Sequence, residues 1–405
     1  MSAEDTVVAQ ATPHGLGSIS VVRLSGKNSL KIARRITKEK KVLWIGLRPY
    51  AQFYCQKKKE IDRSVFLYFK KPNSYTGEDV VEISCHGNPF IVESIITLCC
   101  KNGARIAEPG EFTKRAFMNR KLDLVQAEAV GDLISARSKD AAIHQNKNLS
   151  GFVSAEITNI KNSVMKNLSS IEFELDISES DKNLSQNVNN YRKDIKNNIL
   201  KIRSILSSYK MGLAYTSGVR VALLGKPNVG KSTLMNQILK KERSITSKVS
   251  GTTRDTVSSE LVVSGVPVTI IDTAGIVESK NPIEKEGVLR TKKEIDKADI
   301  VLSLSAPNIE EVSIGGLKKT ISVYNKIDSL KEKPKLKNVF YISALKGEGV
   351  KELMNQLEKI IVHKNPSTNS TINNLRQYES LLKSSKSLSR AGALLNEKPL
   401  FEFEL

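Results

Sequence analysis

Cysteine, aromatic residues and long apolar runs are all scarce in this chain of 405 residues. The four cysteines, Cys55, Cys85, Cys99 and Cys100, have no zinc-ligand spacing and no secretory context. That excludes a disulfide scaffold and reads as reduced thiols in a cytoplasm. The start lacks the basic-then-apolar pattern of a signal peptide, and no apolar run reaches the ~18 residues of a membrane span. Phe, Trp and Tyr make up only 5% of the chain, so few rings are available for bases to stack on, and no aromatic-rich RNA-recognition motif is present. Proline is missing between Pro109 and Pro227, where long helices can run unbroken.

What is abundant is positive charge. Lys and Arg number 63 against 43 Asp and Glu, a net +20. The excess suits a polyanionic partner, although lysine clusters such as Lys57-Lys58-Lys59 are equally what a lysine-rich composition produces. Hydrophobic residues at 40% suffice for real cores, and the length allows about two to four domains. Cys99 and Cys100 follow Ile95-Ile96-Thr97-Leu98 and read as a buried helix face. Cys85, beside His86, reads as a structural strand-end residue, because no activating base can be placed next to it.

The first 118 residues hold β-like runs at Ile19-Ser20-Val21-Val22, Ser64 to Phe69 and Val80 to Ile83, with a helix over Phe90 to Cys100. This is an α+β pattern. Residues 119–216 carry apolar positions at helical spacing, for instance Ala129, Leu133 and Ala136, then Ile157, Ile160 and Val164. The polar stretch Ser178 to Asn190 predicts a connection between helices. Residues 217–364 alternate strands and helices as an α/β domain. Beyond the linker at Asn365-Pro366, residues 365–405 return to helix, with Leu375, Leu381, Leu382 and Leu388. A helix after the α/β insert packs against helices before it, so the ends of the insert must lie close together.

The insert carries the chemistry. Val219 to Leu224 predicts a buried strand, Thr233 to Leu239 a helix, and between them stands Gly225-Lys226-Pro227-Asn228-Val229-Gly230-Lys231-Ser232. A glycine-rich loop between strand and helix turns backbone N–H groups onto phosphates at a helix N-terminus. Lys231 adds a point charge at the β- and γ-phosphates, and Ser232 is placed to ligate Mg²⁺. Val229, Gly230 and Thr233 complete the cradle. Thr252-Thr253 resembles a switch in which Thr253 joins the Mg²⁺ shell. Val266 to Ile271 predicts a strand ending in Asp272-Thr273-Ala274-Gly275, with Asp272 behind the metal and the Gly275 N–H on the γ-phosphate. Asn325-Lys326-Ile327-Asp328 reads guanine, because a carboxylate at Asp328 accepts from N1–H and the exocyclic amine together. Ser343-Ala344-Leu345 supplies an N–H for guanine O6. In this order, at strand ends, these elements predict a GTPase.

Its hydrolytic device is unusual. Where Ras-type enzymes place a glutamine to hold water, this chain has Ile276, and sequence assigns no arginine finger in cis. The Asn228 side-chain oxygen and carbonyls of Ser247-Lys248-Val249-Ser250-Gly251-Thr252 suit a monovalent cation such as K⁺ in place of a guanidinium; Asn228 reads equally as a cap on the loop.

Long runs outside these motifs resemble the tRNA-modification GTPase family MnmE (TrmE). They are Asp5 to Pro13, Val22-Arg23-Leu24-Ser25-Gly26, Ser74 to Ile83 with Cys85-His86-Gly87, Glu108 to Asn119, and Lys121-Leu122-Asp123-Leu124. The resemblance runs from residue 5 to about 350. It implies an N-terminal domain that dimerises and binds a tetrahydrofolate one-carbon donor (5-formyl or 5,10-methylene), and a helical domain interrupted by an inserted P-loop, Ras-like GTPase domain. It also implies an FAD-dependent partner (MnmG, or GidA) forming a heterotetramer. The reaction it implies adds an aminomethyl or carboxymethylaminomethyl group to C5 of the wobble uridine (U34) of certain tRNAs, which the positive charge of the chain suits.

Carried over by motif, Arg23, Glu82 and Lys121 match folate contacts. Asn228, Ser247, Val249 and Thr252 match a K⁺ site, and Glu284 matches a water-orienting glutamate, with the neighbouring Glu286 the alternative in a shifted register. Asn228, Thr253 and Glu284 are then the catalytic set. In the family a Cys-x-Gly-Lys tail reaches the folate site; here the sequence ends Phe401-Glu402-Phe403-Glu404-Leu405. That departure keeps two other readings open: a shortened homologue that binds GTP without modification chemistry, and a ribosome-assembly-type GTPase switch, against which the folate-like N-terminal runs argue.

Overall fold

The computed structural model describes residues 5–37, 50–54, 60–177, 184–241, 257–273, 294–309, 319–361 without 331, 333, 335 and 337, and 372–397. The chain divides into two compact units, Met1–Gly131 and Asp132–Leu405.

The first unit is α+β. Its elements are β1 (Val7–Gln10), β2 (Gly17–Ser25), α1 (Ser29–Thr37), β3 (Tyr50–Tyr54), β4 (Glu60–Phe69), β5 (Val80–Gly87), α2 (Pro89–Lys101), β6 (Arg105–Ile106) and α3 (Glu111–Met118). The sheet runs β3-β4-β5-β2-β1-β6, antiparallel except for the β1–β6 pair. Alternation decides its faces. Val22 and Leu24 of β2 with Val81, Ile83 and Cys85 of β5 are buried against Ile32 of α1 and Ile95 and Cys99 of α2. Arg23, Glu82, Ser84 and His86 take the opposite face. Asn88 caps α2 by accepting from Phe90 N–H at 2.9 Å, and Pro89 starts the helix. Burial pushes the Cys85 thiol up to about 11 and that of Cys99 up to about 12, so both are inert thiols of the core, as their flanks predict.

The second unit contains helices and an α/β sheet. After α4 (Leu124–Ile134) come α5 (Lys139–Leu149), α6 (Phe152–Ile177), α7 (Leu184–Ser207) and α8 (Tyr209–Ser217). The sheet strands are β7 (Val219–Leu224), β8 (Val257–Val263), β9 (Val266–Asp272), β10 (Ile300–Ser305), β11 (Thr320–Tyr324) and β12 (Val339–Tyr341), in the order β12-β11-β10-β7-β9-β8. All pairs are parallel but β8–β9. Helix α9 (Lys231–Lys241) follows β7, α10 (Val350–Ile361) follows β12, and α11 (Leu375–Glu397) closes the described chain. The apolar strands bury Val221, Leu223, Ile270, Leu302 and Val323 with Leu234 and Ile238 of α9 and Leu353 and Leu357 of α10. β7, central and covered, is the near-continuous apolar run that a parallel strand requires.

One connection is shorter than its polarity predicts. Helix α7 already begins at Leu184, so the polar residues Gln186, Asn189 and Asn190 are helical. The helix is held by its other face, where Val188, Tyr191 and Ile195 pack with Ile171 of α6 and Leu388 and Leu395 of α11. Arg192 fastens the same pair of helices by donating from Nε to the Leu395 carbonyl at 3.1 Å. The chain enters the α/β part at Gly218 and leaves it before Ile372, and the two crossings touch. Ile372 N–H donates to Ser208 Oγ at 3.3 Å, and Asn373 Nδ2 donates to Thr216 Oγ1 at 2.8 Å and Asp132 Oδ2 at 2.5 Å. Among the described residues no helix is long and apolar enough to cross a membrane.

Candidate functional site

The phosphate loop joins β7 to α9 as the motif predicts, and its glycines are needed for space. A Cβ on Gly225 would lie 2.8 Å from the Leu304 carbonyl oxygen and from Val229 Cγ1. One on Gly230, at φ +98°, would lie 2.3 Å from Asn325 Nδ2. Lys231 is buried, and its ammonium spans the loop, donating to the Gly225 carbonyl at 2.9 Å and the Lys226 carbonyl at 3.3 Å. Burial pulls the Lys231 pKa down, against the opposing pull of the Asp272 carboxylate. Asn228 stands exposed at the loop crest in the left-handed region, φ 64°. Among the described residues its side chain makes no hydrogen bond, so it is not spent on capping the loop.

Ser232 opens α9, and its Oγ donates to Asp272 Oδ2 at 2.7 Å. The other oxygen, Asp272 Oδ1, is buried without a hydrogen-bond partner. A hydroxyl and a carboxylate with an uncommitted lone pair, beside a loop that binds phosphate, form the hard oxygen set Mg²⁺ takes, either directly or through its water shell. The Thr273 hydroxyl is buried and donates to the Leu223 carbonyl at 2.5 Å. Its side chain therefore latches β9 to β7 and is not available to nucleotide.

The guanine side is assembled around Asn325 at the end of β11. Its Nδ2 donates to the Val229 carbonyl and its Oδ1 accepts from Ala344 N–H, each at 2.9 Å. Lys326 takes a left-handed backbone, φ 63°, which starts the short 3₁₀ turn carrying Asp328. A hydrogen bond from Ser343 chiefly holds the Asp328 carboxyl below its ordinary value, so it is ionised and accepting at neutral pH. Of the three residues from which one backbone donor to guanine O6 is expected, two have their N–H groups committed. Ser343 N–H goes to the Glu348 carbonyl and Ala344 N–H to Asn325, which leaves Leu345, whose side chain is exposed. Sequence missed Asn325 as the tie between phosphate and base loops, since nothing local marks it. Ser247 through Thr253, Ala274, Gly275 and Glu284 lie outside the described residues.

A second cluster occupies the open face of the N-terminal sheet. Arg23 and Glu82, paired across β2 and β5, meet at 2.7 Å. The guanidinium lies between two rings, with Cζ 5.2 Å from the centre of Tyr75 and 5.3 Å from that of Phe112. Tyr75 and Thr113 hold each other by hydroxyl contact at 2.9 Å. Lys121 is exposed and lies along Gly77, where a Cβ would stand 3.1 Å from Lys121 Cγ. The segment carrying Tyr75 and Gly77 thus touches both Arg23 and Lys121.

The sheet order, phosphate loop, Ser232–Asp272 pair and Asn325–Asp328 turn define a P-loop GTPase built into a helical body. Two family profiles cover nearly all of the chain: "GTP-binding protein TrmE N-terminus" matches residues 6–121 and "MnmE helical domain" matches residues 124–405. The chain belongs to the MnmE (TrmE) family of tRNA modification GTPases. It is 39% identical over 398 residues to the tRNA modification GTPase MnmE of Aquifex aeolicus strain VF5, covering 94% of this chain and 87% of the relative. To that of Francisella philomiragia it is 40% identical over 378 residues, covering 88% and 82%. To that of Francisella tularensis subsp. holarctica strain OSU18 it is 38% identical over 430 aligned positions, covering 99% and 93%. The protein is accordingly a GTP hydrolase of tRNA modification.

Proposed function

We propose that this GTPase is K⁺-dependent and that its cycle serves a one-carbon chemistry at the N-terminal domain. What supports the cation is Asn228: it crests the phosphate loop in a left-handed turn with its amide oxygen uncommitted among the described residues. Asn228, with Ser247, Val249 and Thr252, would hold K⁺, which would supply the positive charge that an arginine finger supplies elsewhere. Thr253 would complete the Mg²⁺ shell begun by Ser232, and Glu284 would orient the attacking water. The test is GTP turnover by the full chain in KCl against NaCl, beside Asn228→Ala. A strong K⁺ preference that the variant loses is the expected result; equal turnover in both salts overturns the reading.

The second half concerns what the engine drives. Arg23, Glu82 and Lys121 would bind a tetrahydrofolate one-carbon donor, 5-formyl or 5,10-methylene. Support comes from a guanidinium fixed by a carboxylate and two rings and a lysine lying against the segment that carries Tyr75. The chain would act as a homodimer with the FAD-dependent MnmG on C5 of the wobble uridine. The N-terminal domain would be 1–118, the helical domain 119–216 with 365–405, and the GTPase domain 217–364.

A further inference from the structure

His86 and Asp62 form a pair that nucleotide chemistry does not use. The Asp62 side chain on β4 is 6% exposed. Its Oδ1 accepts from His86 Nδ1 at 2.6 Å, and its Oδ2 accepts from His86 N–H at 3.0 Å and Ser64 Oγ at 3.1 Å. Burial pushes the carboxyl up, but the hydrogen bonds from His86, Arg63 N–H and Ser64 outweigh it and hold it below the ordinary carboxylate range. An ionised carboxylate only accepts, so the neutral ring must carry its proton on Nδ1 and leave the Nε2 lone pair free. The His86 side chain is 68% exposed, and its far edge is open. A clip between strands would be complete with the backbone N–H and Ser64 alone. The added element is an exposed imidazole whose tautomer a buried carboxylate sets, the arrangement that makes histidine a general base.

His86 alternates onto the face that carries the Arg23–Glu82 cluster, whereas Asp62 is in step with Ser64 and the core residue Phe66 of β4. On β5, Val81, Ile83 and Cys85 are core, and Glu82, Ser84 and His86 alternate with them. The β2 register sets Arg23 opposite Glu82 and Ile19 opposite His86. Four residues of strand separate His86 from Glu82 by about 13 Å, a span that a pteridine, an aminobenzoyl ring and a glutamyl group in line can bridge.

Resting on the folate reading above, we infer that His86, oriented by Asp62, is the general base of the one-carbon chemistry on this sheet face, acting on a primary amine or ammonia donor. The ammonium form gives one proton to Nε2, and Asp62 stabilises the imidazolium. The freed lone pair forms the bond to the methylene carbon as that carbon's bond to one folate nitrogen breaks; the electron pair stays on that nitrogen, which takes the proton back from the imidazolium. No oxidant is consumed in this step. Among the described residues, the charged and titratable groups on the strands beside the ring are Asp62 and Arg63 of β4 and the Cys85 thiol of β5; β2 brings Gly17 and Ile19.

His86→Asn tests this. The amide keeps an N–H for Asp62 and deletes the outward nitrogen, and melting temperature and folate affinity check that the fold and the pocket persist. Single-turnover formation of modified nucleoside is followed across pH with the full chain, the flavoprotein partner, tRNA, the folate donor and the amine. In the variant the rate should be about 100-fold lower and partly restored by added imidazole. Asp62→Asn should move the ring proton to Nε2, read by ¹⁵N NMR of the imidazole. Variant turnover within twofold of wild type at every pH overturns the inference alone. A wild-type chain that binds no folate and yields no modified nucleoside overturns the folate reading, and the inference with it.

Discussion

Asn325 reaches 96 residues back along the chain to donate its amide to the Val229 carbonyl at 2.9 Å. The same side chain accepts from Ala344 N–H, and Asn325 itself is buried. One residue therefore couples the loop that cradles phosphate to the loop that meets the base. Asn325→Ala leaves two buried backbone groups without partners, at about 1–3 kcal/mol each. We expect a melting temperature several degrees lower and a nucleotide affinity weaker by at least tenfold. Calorimetry and fluorescent-nucleotide titration check both; unchanged GTP affinity would show that the two loops hold their places without this tie.

Asp328 stands on an exposed turn, ionised, with Ser343 donating to it. Its carboxylate is the acceptor for both guanine donors. Asp328→Asn exchanges an acceptor for a donor, which suits a base with oxygen at C2. GTP affinity should fall by about two orders of magnitude, or some 3 kcal/mol, while xanthosine triphosphate gains. Competition titration with the two nucleotides decides; a parallel loss for both would mean that Asp328 supports the turn and does not read the base.

The nucleotide site was legible where its signals are local. The spacing of Gly225, Gly230, Lys231 and Ser232 is a property of one loop, and β7 and α9 lie where the hydrophobic runs of Val219 to Leu224 and Thr233 to Leu239 put them. What escaped are ties between distant segments: Asn325 to Val229, Arg105 to Asp5 100 residues away, and Thr273 to Leu223. Each is a polar side chain whose partner is a matter of topology. Helix α7 escaped for the opposite reason. Polarity over Gln186 to Asn190 resembles a loop, and only the packing of Tyr191 and Ile195 on α11 reveals a helix.

Gly212, in the middle of α8, lies under the returning chain. A Cβ there would stand 2.2 Å from the Ile372 carbonyl oxygen and 2.9 Å from its carbon. Glycine normally weakens a helix by about 1 kcal/mol relative to alanine, so Gly212→Ala would stabilise an ordinary helix. Here we expect the reverse, a loss of about 1–3 kcal/mol, because backbone cannot swing aside as a side chain can. Urea unfolding gives the sign directly. A stabilised variant would mean that the two crossings at the root of the insert are free to part.

Glu111 collects the charges of the N-terminal unit. Its carboxylate, 4% exposed, accepts from Arg105 at 2.7 and 3.1 Å, from Arg115 at 2.9 and 3.2 Å, and from Glu108 N–H at 2.7 Å. Hydrogen bonding from Arg105 chiefly drives its pKa from the ordinary 4.5 down to about 2. A depressed folded-state pKa contributes stability that is complete above the unfolded value and is lost as pH falls through the folded one. The contribution, about 3 kcal/mol at neutral pH, should therefore decay between roughly pH 4.5 and 2. Glu111→Gln removes it at all pH, since a neutral amide cannot hold two guanidinium groups in charge-assisted bonds. Wild type and variant should differ most at pH 7 and converge towards pH 2. Denaturant melts of the full chain, read on a probe in the N-terminal unit at each pH, follow the gap. A gap that stayed constant down to pH 2 would assign the loss to shape and not to charge.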